Sequence, residues 1–506
     1  MDNSAESANS VSPGSALVPP WSVPLAGCLR RWQESRMPNM TRPGRFLHIV
    51  STLFLLVSAP SAQPSAKPNH AVPPARPHAT MRQLAWDAYL DKVQGAWMGK
   101  MIGVTFGQPW EFNYLGAPIG FDITDWPLSP TRMKDYRARA ENLGDYQPVT
   151  QEADSQKVHI NKGFIEASEK EHPSFGAPDN DDIYINLLFL YCLRRYGIDV
   201  SPVTVAHEWD AKIRQVWHAN DAGLANIRKG ILPPLSGNPR YNLHADDIDF
   251  QIEADIFGMI SPGLPQVSNR FADRMGHIMN YGDGVYGGMF IAAMYTQAFF
   301  AHDVREVVEN ALRAIPSQSL YAQLIRDVIC WHDDHPNDWV KSWHLLQAKW
   351  GELDHCPEGY QKPFNIDAKL NGGYVVMGLL YGNGDFYKTM NYATRGGQDA
   401  DCNPANASGI LGTLLGARGI PAEWREPLHN TYWNKTLAGL PDSYEIDALA
   451  GDTALVGLNV VLANGGEAVT RNGKLLLRIP WQAPVPPPGL EQVKWDGDKP
   501  VLDGLH

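Results

Sequence analysis

The chain has 506 residues, a formal net charge of −12 and 44% apolar side chains. Such a composition excludes a disordered protein. The acidic balance, with no basic stretch to offset it, excludes a nucleic-acid backbone as the main partner. The length holds two or three average domains, or one large catalytic domain with additions.

At the N-terminus, Arg42 and Arg45 precede an apolar run over 46–59, and Ser58, Ala59, Ser61 and Ala62 supply small residues for cleavage. This is the pattern of a signal peptide, too short for a spanning helix of about 20 residues. We therefore expect a leader outside the mature protein (1–36), a signal peptide (37–62) beginning at Met37 or Met40, and a periplasmic or extracellular protein with no stable membrane insertion. A Pro/Ala-rich spacer follows over 63–80. Five cysteines occur without Cys-x-x-Cys or Cys/His zinc spacing, which excludes a zinc finger. In an oxidising compartment Cys330 and Cys356 could pair.

From Met81 the pattern turns helical, with Leu84, Ala85, Ala88, Tyr89, Val93, Ala96 and Trp97 at helical spacing. Further helices are predicted over 182–196, 203–217, 288–301, 304–315, 320–332, 338–350 and 405–418. Gly197 and Pro421 serve as stop signals. An all-α domain over 81–440 follows. The tail, 441–506, reads as a small β-rich appendage: Val/Leu runs at 456–463 and 468–479 look like strands, and Asn472-Gly473 is a hairpin turn signal. Nothing in the pattern specifies an oligomer.

Three segments carry chemistry. Gly95, Gly99, Gly103 and Gly107 recur every four residues, as close helix packing requires, and the run ends at Glu111 between Trp110 and Phe112. A carboxylate among aromatic rings has a raised pKa, suited to proton transfer. Next, Asn180-Asp181-Asp182 leads into an almost uniformly apolar helix, so its carboxylates point into the protein. Finally, Gly396-Gly397-Gln398-Asp399-Ala400-Asp401-Cys402 places two carboxylates at the start of another packed helix. The plain alternative for both acidic pairs is helix capping. If they converge, they supply the oxygen ligands that hard divalent cations need. Among the other acidic residues, 244–255 reads as a solvated helix face, although Asp255 could face the cleft; Asp283 reads as a candidate for substrate hydroxyls or equally as a helix cap, and His332-Asp333-Asp334-His335 as surface.

In this order the three segments resemble the ADP-ribosylglycohydrolase family, of the dinitrogenase-reductase-activating glycohydrolase type. The family's Pro-x-Glu helix end is similar to Pro109-Trp110-Glu111, its Thr-Asp-Asp motif to Asn180-Asp181-Asp182, and its Gly-Gly-Asp-x-Asp-Thr motif to the segment ending in Asp399-Ala400-Asp401-Cys402. The segments 281–288 and 309–319 have the family's look as well, and the resemblance covers about 86–435. It implies an all-α fold and hydrolysis of a glycosidic bond in a small-molecule or glycosylated substrate.

The resemblance also implies two Mg²⁺ ions, with Mn²⁺ as a substitute, held by Asn180, Asp181, Asp182, Asp399, Asp401 and Cys402. It makes Glu111, Asp181 and Asp399 the catalytic residues and Asp283, Gly284, Tyr286 and Gly287 the substrate contacts. Three positions depart from the family pattern. Asn180 and Cys402 replace threonines, and Val104 stands where an acidic residue is common; a thiol is a poor ligand for magnesium. Two other readings stay open: an exported hydrolase of a different glycoside or nucleoside, and a non-catalytic binder of ADP-ribose or glycan.

Overall fold

The computed structural model describes residues 80–111, 114–124, 175–351, 354–357, 359–362 and 364–503. The expected leader, signal peptide and nearly all of the spacer lie outside these residues, as does Phe112. A short strand β1 (Met81–Ala85) runs straight into α1 (Trp86–Gly107), which is almost wholly buried from Gly95 onward.

The helices that follow are α2 (Asp181–Tyr196), α3 (Pro202–Lys212), α4 (His218–Arg228), α5 (Asp249–Glu253), α6 (Asp255–Met259), α7 (Pro265–Gly276) and α8 (Asp283–Ala298). Then come α9 (Val304–Ala311), α10 (Leu320–Asp334), α11 (Trp339–Trp350), α12 (Ala368–Gly382), α13 (Phe386–Arg395), α14 (Cys402–Leu415), α15 (Ala422–Arg425) and α16 (Ile446–Ala463). The fold is all-α with a few small strands. Short polar side chains start many of these helices as the sequence suggests: Ser201, Asp303, Ser319 and Asp385 each accept a backbone N–H of the first turn.

The predicted helix over 203–217 ends early. Ile213 is extended and Trp217 is extended before α4 begins. Helices α4, α5, α6, α7, α12, α13, α15 and α16 add to the predicted set. Residues of α12 are buried on nearly every side, so no polar stripe marks its period.

At the centre α1 packs against α14 on one side and α16 on another. The glycine spacing explains the first contact. A Cβ on Gly95, Gly99, Gly103 or Gly107 would lie 2.2, 2.2, 2.3 or 2.1 Å from a backbone oxygen of Gly412, Ser408, Pro404 or Ala400. Backbone cannot step aside as a side chain can. Gly99→Ala is therefore expected to destabilise the protein by about 3 kcal/mol or more, read as a lower denaturation midpoint at unchanged m-value.

One feature of the tail differs from expectation. The apolar run 456–463, read as a strand, is the second half of α16, whose Leu449, Ala450, Thr453, Val456, Gly457 and Val460 are buried. Trp97 Nε1 on α1 donates to Thr453 Oγ1 at 3.0 Å. Helical spacing of that buried set lets one face meet α1, which a two-residue alternation would not. By length and composition α16 could also cross a membrane, and half of it is buried here.

Strands β2 (Thr431–Trp433) and β3 (Ser443–Glu445) pair antiparallel ahead of α16, and the predicted hairpin follows it. β4 (Glu467–Arg471) and β5 (Lys474–Pro480) pair with Arg471 opposite Lys474, around Asn472 at φ 51 and Gly473 at φ 75, the two positive φ values of a type I′ turn. β5 also pairs antiparallel with β1, Leu84 opposite Leu477. The sheet order β1-β5-β4 thus ties the start of the described chain to its end. Cys356 is a free, buried thiol, so the suggested bridge to Cys330 does not form.

Candidate active site

Each acidic segment is delivered by a helix end. At the C-terminal end of α1 a short turn over Gln108–Trp110, with Pro109 in it, leads to Glu111. At the start of α2, Asn180 Oδ1 accepts the Asp182 N–H at 3.0 Å. Before α14, Gly397 (φ 78) and Gln398 (φ 57) take the left-handed conformation, and Gln398 N–H bonds to Tyr114 O at 2.9 Å. A Cβ on Gly397 would meet that same oxygen at 2.5 Å, so glycine is required there. This turn sends Asp399 and Asp401 inward, and Asp401 then caps α14 through the Cys402 N–H at 2.9 Å. Capping and convergence coexist.

The three ends meet. Asn180 Nδ2 donates to Asp401 Oδ2 at 3.1 Å, linking the two acidic loops. Ligand atoms of Asp181, Asp182 and Cys402 lie within 4.8 Å of one another, as do those of Asp399, Asp401 and Cys402. Glu111, Asn180, Asp181, Asp399 and Cys402 line one cleft of about 680 Å³. Burial, then the charges of Asp401, Asp181 and Asp182, hold the Glu111 carboxyl well above the usual range. Burial and neighbouring carboxylates thus act in the same direction on it. Burial and the Asp182 and Asp249 charges push Asp181 up to about 7. Burial and Glu111 push Asp399 up to about 8.

The family model for ADP-ribosylglycohydrolase matches residues 85–456, a span that contains all three segments. The chain belongs to the ADP-ribosylglycohydrolase family. Members of this family hydrolyse glycosidic bonds and depend on metal. A solved structure described as an ADP-ribosylglycohydrolase-related protein complex is similar at 14% identity and a TM-score of 0.43, over 73% of this chain and 99% of that one. No curated protein matches the chain.

In this member of the ADP-ribosylglycohydrolase family the donor set suits a hard divalent cation. Four carboxylates crowd together, and Asp182 Oδ2, fully buried, has no hydrogen-bond partner among the described residues. A cation would relieve both the crowding and the orphaned oxygen. Cys402 stands where the resemblance implies, but burial and the Asp182 and Asp399 charges hold its thiol well above its ordinary pKa, and a protonated thiol offers such a cation little. Asn180 serves as a strut between the loops.

Sequence reasoning missed Lys100. Its ammonium, fully buried on α1, pairs with Asp182 Oδ1 at 2.8 Å and Asp255 Oδ2 at 3.1 Å, and donates to Ile252 O at 2.8 Å. A lysine amid small and apolar residues was the available signal, because a buried ammonium needs partners. Asp249 was missed as well. The segment 244–255, read as a solvated face, is buried at Asp246, Asp247, Asp249, Glu253 and Asp255. Asp249 accepts Ala219 N–H and Asn220 N–H at the start of α4 and lines the cleft.

The expected substrate contacts lie elsewhere. Asp283 borders a separate cavity with Asp246, Lys369 and Trp495 and accepts the Tyr321 N–H at 3.1 Å. Gly284 packs on Ala245 O and Gly287 on Tyr321, and Tyr286 Oη accepts the Glu491 N–H at 2.6 Å. These four residues hold α8 in place rather than line the cleft. Asp333 at the end of α10 pairs with Arg305 at 2.7 Å and is half exposed, as a surface residue would be.

Asp181 and Asp399 have folded pKa values above the ordinary carboxylate value, so the fold favours their protonated forms. Stability from this source is complete below pH about 4 and is lost as pH rises toward 7 and 8. In chelator, the melting temperature is expected to fall by several degrees between pH 5 and 8. Millimolar Mg²⁺ should reverse that fall at pH 8, measured by scanning calorimetry in both buffers.

Proposed function

We propose that this chain is an exported, metal-dependent hydrolase of the dinitrogenase-reductase-activating glycohydrolase type, which removes ADP-ribose from a modified acceptor. The observation that carries this reading is the convergence of Glu111, Asp181 and Asp399 on one cleft. Asp181, Asp182, Asp399 and Asp401 would hold two Mg²⁺ ions, or Mn²⁺, whose chemistry is to orient a ribose diol and activate water. Glu111, at the same cleft, is the group placed to pass a proton to the departing acceptor atom. The carboxylates around it stabilise positive charge growing at the anomeric carbon.

The rim supports an ADP-ribosyl group over a neutral sugar. Arg214 and Lys435 line the same otherwise acidic cleft and are the charges a diphosphate would meet. Trp217, 54% exposed, offers a stacking face for a nucleobase.

The test is a mass-spectrometric screen of ADP-ribosylated peptides against a panel of neutral glycosides and nucleosides, with Mg²⁺ present. Release of ADP-ribose from the peptides is expected. Turnover confined to the neutral substrates would overturn the proposed substrate, and turnover of none would favour a binder.

A further inference from the structure

Beside the acidic cleft, at the first residue of α4, lies a cluster of different chemistry. His218, His244 and Asp247 each offer a ligand atom, all within 4.8 Å of one another. His244 Nδ1 is 2.7 Å and His218 Nδ1 3.9 Å from the same oxygen, Asp247 Oδ2. Around a tetrahedral ion with bonds of 2.0–2.2 Å, ligand atoms are about 3.3 Å apart. The observed separations bracket that value, so small side-chain rotations would seat an ion.

Asp247 is 1% exposed, and its Oδ1 has no hydrogen-bond partner among the described residues. The charges around it are the carboxylates of Asp354, Asp249, Asp246 and Asp367. A buried carboxylate in such company is costly without a cation. His218 also takes φ 41, a left-handed conformation rare for a residue with a side chain and commonest at sites under functional constraint. A cavity of about 250 Å³ reaches the cluster, lined by Trp217, His218, Asp221, Ala222 and His244, and gives an ion a way in. The neighbouring group Asp247, Asp354 and Cys356 is less suitable, because both Asp354 oxygens accept backbone N–H groups, of Cys356 at 2.9 Å and Ile366 at 3.0 Å.

We propose that His218, His244 and Asp247 form a mononuclear site for a borderline divalent cation such as Zn²⁺ or Co²⁺, separate from the acidic cleft. Two imidazoles and one carboxylate select such ions over Mg²⁺. The ion ties the start of α4 to the segment that carries Asp249. Because His218 borders both the small cavity and the cleft, occupancy fixes one wall of the cleft.

The test uses the full-length protein, stripped with chelator and returned to saturating Mg²⁺ so that the hard sites are satisfied. Co²⁺ is then added and followed by calorimetry and visible absorption. One Co²⁺ per chain is expected, with affinity at least 100-fold weaker in His244→Ala and Asp247→Asn and unchanged in Asp181→Asn/Asp399→Asn. No Co²⁺ uptake, or uptake lost only in the Asp181/Asp399 variant, would overturn the site. X-ray absorption at the cobalt edge of the unsubstituted protein covers a variant that fails to fold. Two imidazole nitrogens in the shell support the proposal, and an all-oxygen shell refutes it.

Discussion

Asp399→Asn is expected to lower glycosidic-bond hydrolysis by about 10³ or more, while the metal-free protein melts at the same temperature or higher at pH 8. The two effects share one cause. Burial, then the charge of Glu111, pushes the Asp399 carboxyl up to about 8. Its ionised form is therefore useful only when something positive faces it. The substitution keeps the volume and the acceptor oxygen near the Cys402 N–H but removes the charge. Steady-state rates with melting curves in chelator and in Mg²⁺ check both parts. The variant should also gain less stability from Mg²⁺. Full activity in the variant would remove Asp399 from the site.

Lys100→Met is expected to cost about 3–5 kcal/mol of stability, the range for removing one member of a buried ion pair. Lys100, Asp182 and Asp255 have fully buried side chains, so both carboxylates would be left without their cation. Lys100→Met/Asp255→Asn should recover part of the loss. The second substitution removes one stranded charge, while the bond from Asn406 Nδ2 to the Oδ1 position, 3.1 Å long in the unsubstituted protein, can persist. Urea denaturation of the single and double variants gives the coupling energy directly. Additive costs would show that Lys100 acts through packing alone.

The pattern of the chain gave a fair account of both fold and site, for physical reasons that particular residues display. Helices with capped starts and one apolar face, such as α9 and α10, were legible because period and punctuation agree. α12 was harder, since a helix buried on most sides loses its polar stripe, and α16 was harder because its exposed face carries Leu455 and Leu462 as well. The Val-rich run at 456–463 then looks like a strand, because β-branched residues suit both a strand and a buried helix. In the site, Glu111, Asp181 and Asp399 were visible because acidic residues beside apolar helices must be compensated in structure. Lys100 and Asp249 were not, because their partners lie 82 and 29 or more residues away, and no local spacing signals such a pairing. Residues 283–287 do not line the acidic cleft, and the glycines there relieve crowding of backbone and rings.

The packing of α1 sets an order of events during synthesis. This helix emerges from the ribosome among the first of the described segments, yet α14 and α16, which cover it, are translated more than 290 and 330 positions later. Strand β1 likewise waits for β5. A nascent chain must carry an uncovered apolar helix through most of its elongation, so chaperone dependence and a sharp sensitivity to C-terminal truncation follow from topology.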